Sequence, residues 1–232
     1  MKPNYGIDAP GVIRNNFIAA AGCFILAYVL YRFAGVPLIS YIVPGAFFLL
    51  LGLFMLLYSL YGKYRHRERM LALVDWRGDE EVLDVGTGKG LLMIGAARRL
   101  RTGKSVGIDI WNKEDLSGNH AAAALHNASL EGVDDKVQVE NENAAYMSFP
   151  DGSFDVVLSN LCLHNIRDKG ERIKACEEIF RVLRPGGVAV ISDYKHTKDY
   201  ADIFAGKGMR VGERVTYRMD TFPWLSIVRA VK

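Results

Sequence analysis

The chain has 232 residues, enough for one domain or two small ones, and half of its residues are hydrophobic. A formal net charge of only +3 gives no broad basic surface, so we expect no nucleic-acid partner. The three cysteines are scattered and fit no metal-ligand spacing, so we also expect no metal site.

Two long uncharged stretches lie near the start of the chain. Residues 17–31 and 38–61 contain no Asp, Glu, Lys or Arg, and Gly35-Val36-Pro37 separates them. About 20 apolar residues suffice to cross a bilayer as a helix. We therefore predict a transmembrane helical hairpin with spans at about 17–34 and 38–61. A buried helical pair of a soluble protein and a hairpin that dips into one leaflet are the alternatives, whereas the second stretch argues against a cleaved signal peptide.

Basic residues after the second stretch predict its orientation. Lys63, Arg65, Arg67 and Arg69 stand against only Glu68, and the turn between the spans carries no Lys or Arg. The positive-inside rule then places both termini and the rest of the chain in the cytoplasm, as parts of an integral membrane protein. The lipid bilayer is thus an expected partner, and the hairpin could also join copies of the chain in an oligomer.

Short apolar runs alternate with helical patterns from Glu80 onward, which predicts an α/β fold with a mostly parallel sheet and helices on both faces. We divide the chain into the hairpin, residues 1–62, and a cytoplasmic domain, residues 63–232, that opens with a helix over about 64–77. The predicted strands cover residues 82–85, 105–110, 136–140, 154–160, 188–192, 210–218 and 225–231, the last two as an antiparallel hairpin. The predicted helices cover about residues 91–100, 119–131, 170–183 and 198–205.

A glycine-rich turn follows the first predicted strand. Gly86, Gly88 and Gly90 stand at alternate positions before the helix pattern. Glycines leave no Cβ between the backbone and a ligand, and a helix start offers free N–H groups. Gly90 stands where a P-loop needs Ser or Thr after Lys89, and the spacing fits a dinucleotide fingerprint poorly. A bare strand–turn–helix without a ligand is the remaining alternative.

An acidic residue at the end of the second predicted strand complements this turn. Asp109 lies 25 residues after Asp84. A carboxylate at that place can accept both ribose hydroxyls of a nucleoside. Turn and carboxylate together predict a nucleoside ligand that needs no pyrophosphate.

Three segments carry a family resemblance: the glycine turn with Asp84, the stretch from Asn143 to Asp155, and the stretch from Ile179 to Gly187. In this order they resemble the motifs of the class I, Rossmann-like methyltransferases that use S-adenosylmethionine (SAM), in the small-molecule branch. The resemblance covers about residues 64 to 232, and the hairpin lies outside it. It implies a seven-stranded sheet with the last strand antiparallel, SAM as cofactor and S-adenosylhomocysteine as product.

The resemblance also implies roles around the cofactor. The glycine turn, with Thr87 in place of a frequent Cys, would approach the methionine and ribose parts, and Asp84 would organise the amino group. The ribose, the adenine and the transferring methyl group would meet residues farther along the chain. Those residues are Asp109 for the ribose, Ile110, Asn143 and Ala144 for the adenine, and Asn160 beside the methyl group.

Residues after the fourth and fifth strands surround the point where the methyl acceptor would lie. His164 is the first candidate for a base or a substrate-orienting group because imidazole titrates near neutrality. A polar residue at a helix start is its alternative role. Asn160 and Tyr194 complete the predicted catalytic set, with Asp193 as a further candidate. We expect the segment 111–119 to form part of the substrate entrance, with Trp111 either on the adenine or packed at the domain edge.

The sequence therefore predicts a membrane-anchored SAM-dependent methyltransferase. Its acceptor would be an amphiphilic or small molecule near the cytoplasmic face, with the segment 2–14 and the membrane serving as the lid. The alternatives are an enzyme for a soluble acceptor that uses the hairpin only as an anchor, and a non-catalytic SAM-binding membrane protein. An NAD-dependent dehydrogenase is disfavoured by the glycine spacing.

Overall fold

Two long apolar helices open the computed structural model, which describes residues 2–232. Helix α1 covers Pro10–Ala34 and helix α2 covers Ile39–Leu57. Gly35 ends α1 in the left-handed conformation and donates its N–H to the Leu30 carbonyl. Gly45 and Gly52 bring the two helices together, since a Cβ on Gly52 would lie 3.0 Å from the Phe17 ring. By length and composition, each helix could cross a membrane.

The second helix continues from the hairpin into the domain. A π-helical turn, Tyr58–Gly62, joins α2 to α3, which covers Lys63–Leu71. The sequence predicted that this last helix would extend to residue 77, but it ends at Leu71, where the Trp76 indole N–H donates to the Leu71 carbonyl at 2.7 Å. No flexible linker therefore separates the hairpin from the domain.

The basic residues behind the orientation prediction are largely engaged with the protein itself. Lys63 is buried and pairs with Asp8, while Arg67 and Arg69 contact Glu68 and Asp220. Arg65 is exposed. Of these charges, Arg69 docks α3 on the domain, and Lys63 joins α3 to the N-terminal segment.

The sheet is mixed and has eight strands in the order β3-β2-β1-β4-β5-β8-β6, with β7 also paired to β8. The strands β1 to β5 run parallel, and β8 runs antiparallel to β5. The strands are β1 Glu81–Val85, β2 Lys104–Asp109, β3 Val137–Asn141, β4 Phe154–Asn160, β5 Leu183–Asp193, β6 Arg210–Val211, β7 Val215–Tyr217 and β8 Leu225–Val231.

Helices cover both faces of this sheet, as the continuous burial along β1 and β2 requires. They are α4 Leu91–Ala97, α5 Ala121–Leu130, α6 Lys169–Val182 and α7 Thr197–Gly206. Leu83 of β1 packs in one core with α6 and α7, and its neighbour Val82 packs in the other with α3 and α4. The helices α6 and α7 and the strand β4 lie within a residue of the predicted ranges.

Two strand predictions were wrong in extent. The strand predicted over 210–218 is two short strands, because the chain leaves the sheet edge after Gly212, whose N–H donates to the Arg229 carbonyl at 2.8 Å. The fifth strand begins at Leu183 rather than at residue 188. Gly186 and Gly187 are held within it by backbone hydrogen bonds with Lys232.

Candidate functional site

The glycine turn sits at the carboxyl end of β1 in a backbone conformation that favours glycine. Gly86, Gly88 and Gly90 have φ angles of 74°, 55° and 87°. The N–H groups of Gly86 and Thr87 both donate to the Ile108 carbonyl, at 2.8 and 3.0 Å. The turn is therefore fixed against β2 before α4 begins.

Asp84 holds the turn from inside the domain. One oxygen of its buried carboxylate, Oδ2, accepts hydrogen bonds from the Thr87 hydroxyl at 2.8 Å and from the Met93 N–H at 2.9 Å. Burial raises the pKa of Asp84 to about 7, although these two hydrogen bonds act in the opposite direction. The structure thus places Asp84 where it organises the turn and the start of α4.

Asp109 holds the turn from the neighbouring strand. Its Oδ2 accepts from the Gly88 N–H at 2.8 Å, and its Oδ1 accepts from the Trp111 N–H at 2.6 Å. The Asn119 amide also donates to Oδ1, at 3.5 Å, so one of the about four acceptor positions of the carboxylate remains for a further donor. Ile110 beside it is 66% exposed and offers an apolar surface at the end of β2. This pair suits a ribose next to a flat apolar ring.

Two side chains lie against the inner edge of the turn. A Cβ on Gly88 would lie 2.9 Å from Leu116, and one on Gly86 would collide with Cys162. Burial raises the pKa of the Cys162 thiol, which keeps it protonated and a poor nucleophile. The turn therefore requires glycine for close approach as well as for its φ angles.

The predicted adenine contacts after β3 lie on a tight turn. Asn143 is exposed, and its Oδ1 accepts from the Ala145 N–H at 2.9 Å, while Ala144 is half-buried. The Asn143 side chain thus shapes the turn. Its role towards an adenine remains a prediction.

The acceptor-side candidates come together at the ends of β4 and β5. Buried Asp193 accepts from the backbone N–H groups of His164 at 3.1 Å and Tyr194 at 2.8 Å. The His164 Nδ1 lies 2.7 Å from the Asp193 Oδ1, although it lacks the alignment of a hydrogen bond. The His164 and Tyr194 rings meet edge to face at 4.6 Å. His196 lies apart from them at the start of α7.

Asn160 ends β4 beside this group and is incompletely satisfied. Its backbone pairs in register with Ser192 of β5. Its side-chain oxygen is buried and has no hydrogen-bond partner among residues 2–232. A buried polar atom of this kind normally has a partner, so the site is complementary to a ligand that brings a hydrogen-bond donor or a positive charge to this oxygen.

Part of the segment 2–14, which was expected to form a lid, lies against the loop 111–119. A strap, residues 4–9, runs along the loop 111–119. Ile7 and Ser117 exchange hydrogen bonds of 2.7 and 3.0 Å, and the Ala9 N–H donates to the Asp115 carbonyl at 2.8 Å. Lys63 fixes the strap from behind by donating to the Tyr5 and Gly6 carbonyls at 2.9 and 2.6 Å.

Two features of the site were missed from the sequence. Lys63 was counted as a topology signal, although it is buried beneath the strap. Tyr58 lies in the second uncharged stretch and was given no role at the site, although it is only 4% exposed and lies beside Asn160. No local pattern distinguishes either residue from its neighbours. Within residues 2–232, no cluster of His, Cys, Asp and Glu could hold a metal ion.

Comparisons with known proteins bear on the domain that carries this site. Residues 83–191 match a family described as a methyltransferase domain. The ribosomal protein L11 methyltransferase of Syntrophotalea carbinolica is 34% identical over 134 residues, covering 57% of this chain and 38% of that protein. The demethylmenaquinone methyltransferase of Lactiplantibacillus plantarum is 32% identical over 127 residues, covering 54% of this chain and 50% of that protein. The chain thus spans half or less of the length of these curated relatives.

A solved structure extends the likeness to the fold. The SAM-dependent methyltransferase from Aquifex aeolicus superposes with a TM-score of 0.57 at 22% identity, over 71% of this chain and 88% of that chain. The order of the sheet and the place of the glycine turn are therefore those of a Rossmann-like α/β fold.

Proposed function

We propose that this chain, which contains a SAM-dependent methyltransferase domain and has SAM as its cofactor, methylates an amphiphilic acceptor at the cytoplasmic face of a membrane. The observation that carries the proposal is the continuous helix from the apolar hairpin to the site. It runs from Ile39 to Leu71, and the His66 ring on it lies 2.6 Å from Ser192 at the end of β5.

The residues of the site fit SAM. The backbone of the glycine turn carries no Cβ towards the amino-acid part, and Asp109 keeps an acceptor position for a ribose hydroxyl. Exposed Ile110 offers its apolar face to the adenine, and the unpartnered Asn160 oxygen faces the reacting end. When bound, SAM supplies an electrophilic methyl group.

The protein's own part in the reaction is to place the acceptor, exclude water and remove a proton. Asp193 beside Nδ1 favours the His164 tautomer that carries its proton there, so Nε2 is free to accept the acceptor's proton. The strap and the loop 111–119 close the site above the glycine turn. Closure matters because methyl transfer requires close placement of the nucleophile and no competing water.

The membrane assignment rests on the surface of the hairpin. Only 11% of the most apolar window of each long helix is buried, whereas a core helix of a soluble protein would be mostly buried. Large apolar side chains such as Ile18, Ile25 and Phe47 are more than half exposed. A bilayer would cover them, and the docked α3 would hold the site at its surface.

An amphiphilic acceptor is favoured over a soluble one by this docking. Phe54 of α2 packs on Phe222 of the domain with ring centroids 5.6 Å apart, and Arg69 of α3 donates to Asp220 at 2.7 Å. A hairpin that served only as an anchor would need no such contacts. The relative from Lactiplantibacillus plantarum, a demethylmenaquinone methyltransferase by name, gives a precedent for a lipid-soluble acceptor.

The test compares methylation of the same quinone head group in a bilayer and in water. The full chain in lipid vesicles receives methyl-labelled SAM with the quinol form of either demethylmenaquinone in the bilayer or a short-chain, water-soluble analogue, each kept reduced by an added chemical reductant. We expect label in the bilayer quinone at a rate at least tenfold above that of the analogue. Equal labelling of the analogue with and without vesicles would support the soluble-acceptor alternative instead.

A further inference from the structure

A buried hydroxyl from the hairpin reaches the reacting end of the site. Tyr58 begins the π-helical turn, is 4% exposed, and lies beside Asn160 with Asp8 and Asp193 nearby. Its hydroxyl makes no hydrogen bond with any residue that the structure describes. π-Helical turns often occur at functional sites because they re-aim a side chain.

The contacts around Tyr58 fix its position from both sides. About two turns along the same helix, His66 contacts Ser192, the residue that pairs in register with Asn160. On the other side, Ser59 donates to Asp8 of the strap at 2.9 Å. A Cβ on Gly62 would collide with the Asp220 carbonyl, so the helix lies directly on the domain. Tyr58 therefore stays at the end of β4.

The groups around the Tyr58 hydroxyl and the Asn160 Oδ1 favour a positively charged partner for these two oxygens. Two buried oxygens, the Tyr58 hydroxyl and the Asn160 Oδ1, lack partners within residues 2–232. Asp8 pairs with Lys63, whereas buried Asp193 accepts hydrogen bonds from the His164 and Tyr194 N–H groups and pairs with no Lys or Arg among residues 2–232. Unpartnered oxygens next to a carboxylate without a Lys or Arg partner form a site of negative potential, which favours a positive charge.

We propose that Tyr58 and Asn160 direct their oxygens at the positively charged sulfonium end of SAM. This inference rests on the proposed function, since it takes SAM as the ligand. It has a consequence for turnover: the product S-adenosylhomocysteine has lost that charge, so these two oxygens hold the reactive cofactor more tightly than the spent one. The hairpin is then a part of the cofactor site.

Calorimetric titration of the full chain in detergent with SAM and with S-adenosylhomocysteine tests this inference. Tyr58→Phe removes the hydroxyl and keeps the ring. We expect the Kd for SAM to rise about fivefold, as for the loss of a C–H···O contact to carbons beside the positive sulfur, and the Kd for S-adenosylhomocysteine to change less than twofold. The matched control is Tyr61→Phe, three residues away and 69% exposed, which should change neither value.

A second variant, at Asn160, tests the same preference for the positively charged ligand. Asn160→Asp puts a negative charge beside the sulfonium, so we expect it to widen the preference for SAM over S-adenosylhomocysteine. An equal rise in both Kd values for Tyr58→Phe would mark a packing role and overturn the inference, as would no change at all. A folded wild-type chain that binds neither ligand would contradict the proposed function itself.

Discussion

At the residue scale, two carboxylates hold the glycine turn, and they do so with different chemistry. One oxygen of Asp109 accepts a hydrogen bond from the Gly88 N–H and the other accepts one from the Trp111 N–H. The carboxylate can still accept a hydrogen bond from a ligand. Asp84 is buried and accepts its hydrogen bonds from Thr87 and Met93, inside the domain. Substitution of the first should therefore affect ligand binding, and substitution of the second should affect the pH dependence of the fold.

Asp109→Ala should weaken SAM binding by about 100-fold, because it removes ligand contacts and releases the Gly88 N–H. Calorimetric titration measures the loss. Glu114→Ala, an exposed acidic residue on the following loop, is the control and should bind normally. Normal SAM affinity in the Asp109 variant would show that this carboxylate is architectural.

Asp84→Asn should change how stability depends on pH. The pKa of Asp84 is raised in the folded state to about 7, against about 4 when unfolded, so ionisation opposes folding. Its contribution to stability is full below about pH 4 and is lost as the pH rises through about 7. The thermal midpoint of the wild type relative to Asp84→Asn should therefore fall between pH 4 and 7 and then level off. A constant difference across this window would contradict the assignment. Asp134→Asn, on the surface, is the control.

His164→Gln should lower turnover by about 100-fold while leaving the Kd for S-adenosylhomocysteine within twofold of wild type. The reason is that His164 stands beside Asp193 on the acceptor side, away from the glycine turn. His196→Gln, at the start of α7, should behave as wild type. Single-turnover kinetics with the quinone acceptor in vesicles make the comparison, and undiminished turnover in the His164 variant would remove it from the mechanism.

At the element scale, the helix from Ile39 to Leu71 decides how the hairpin and the domain meet. Gly62→Ala should lower the free energy of unfolding by about 1–3 kcal/mol, because its Cβ would collide with the Asp220 carbonyl. Gly22→Ala, in α1 with open space around it, should be neutral or slightly stabilising. Thermal unfolding of the two variants in the same detergent measures the contrast, and equal midpoints would show that α3 does not dock as described.

The elements that could be predicted from the sequence are those with local signals. The apolar run of β4, the glycine turn and the Asp168 to Val182 helix signal are each contained in a short stretch of the chain. The break of the edge strand at Gly212 depends on Arg229, and the burial of Lys63 depends on Tyr5 and Gly6. Such long-range contacts leave no periodic trace, so the strap and Tyr58 became visible only in three dimensions.

At the scale of the whole molecule, the exposed apolar hairpin predicts firm attachment to membranes. The full chain should float with lipid vesicles and stay bound in 1 M salt, because apolar burial is insensitive to the screening that releases charge-bound proteins. Detergent should release it. Release by salt alone would show that the hairpin does not insert.

The central claim is that this chain transfers a methyl group from SAM to a membrane-held acceptor. The most direct measurement incubates the full chain in vesicles with methyl-labelled SAM and demethylmenaquinone kept in its reduced quinol form, and counts both products. We expect one S-adenosylhomocysteine formed for each methyl group recovered in the lipid phase, and neither product with Asp109→Ala. A folded wild-type chain that binds SAM but forms no S-adenosylhomocysteine with any bilayer acceptor would contradict the claim and leave a non-catalytic SAM-binding protein.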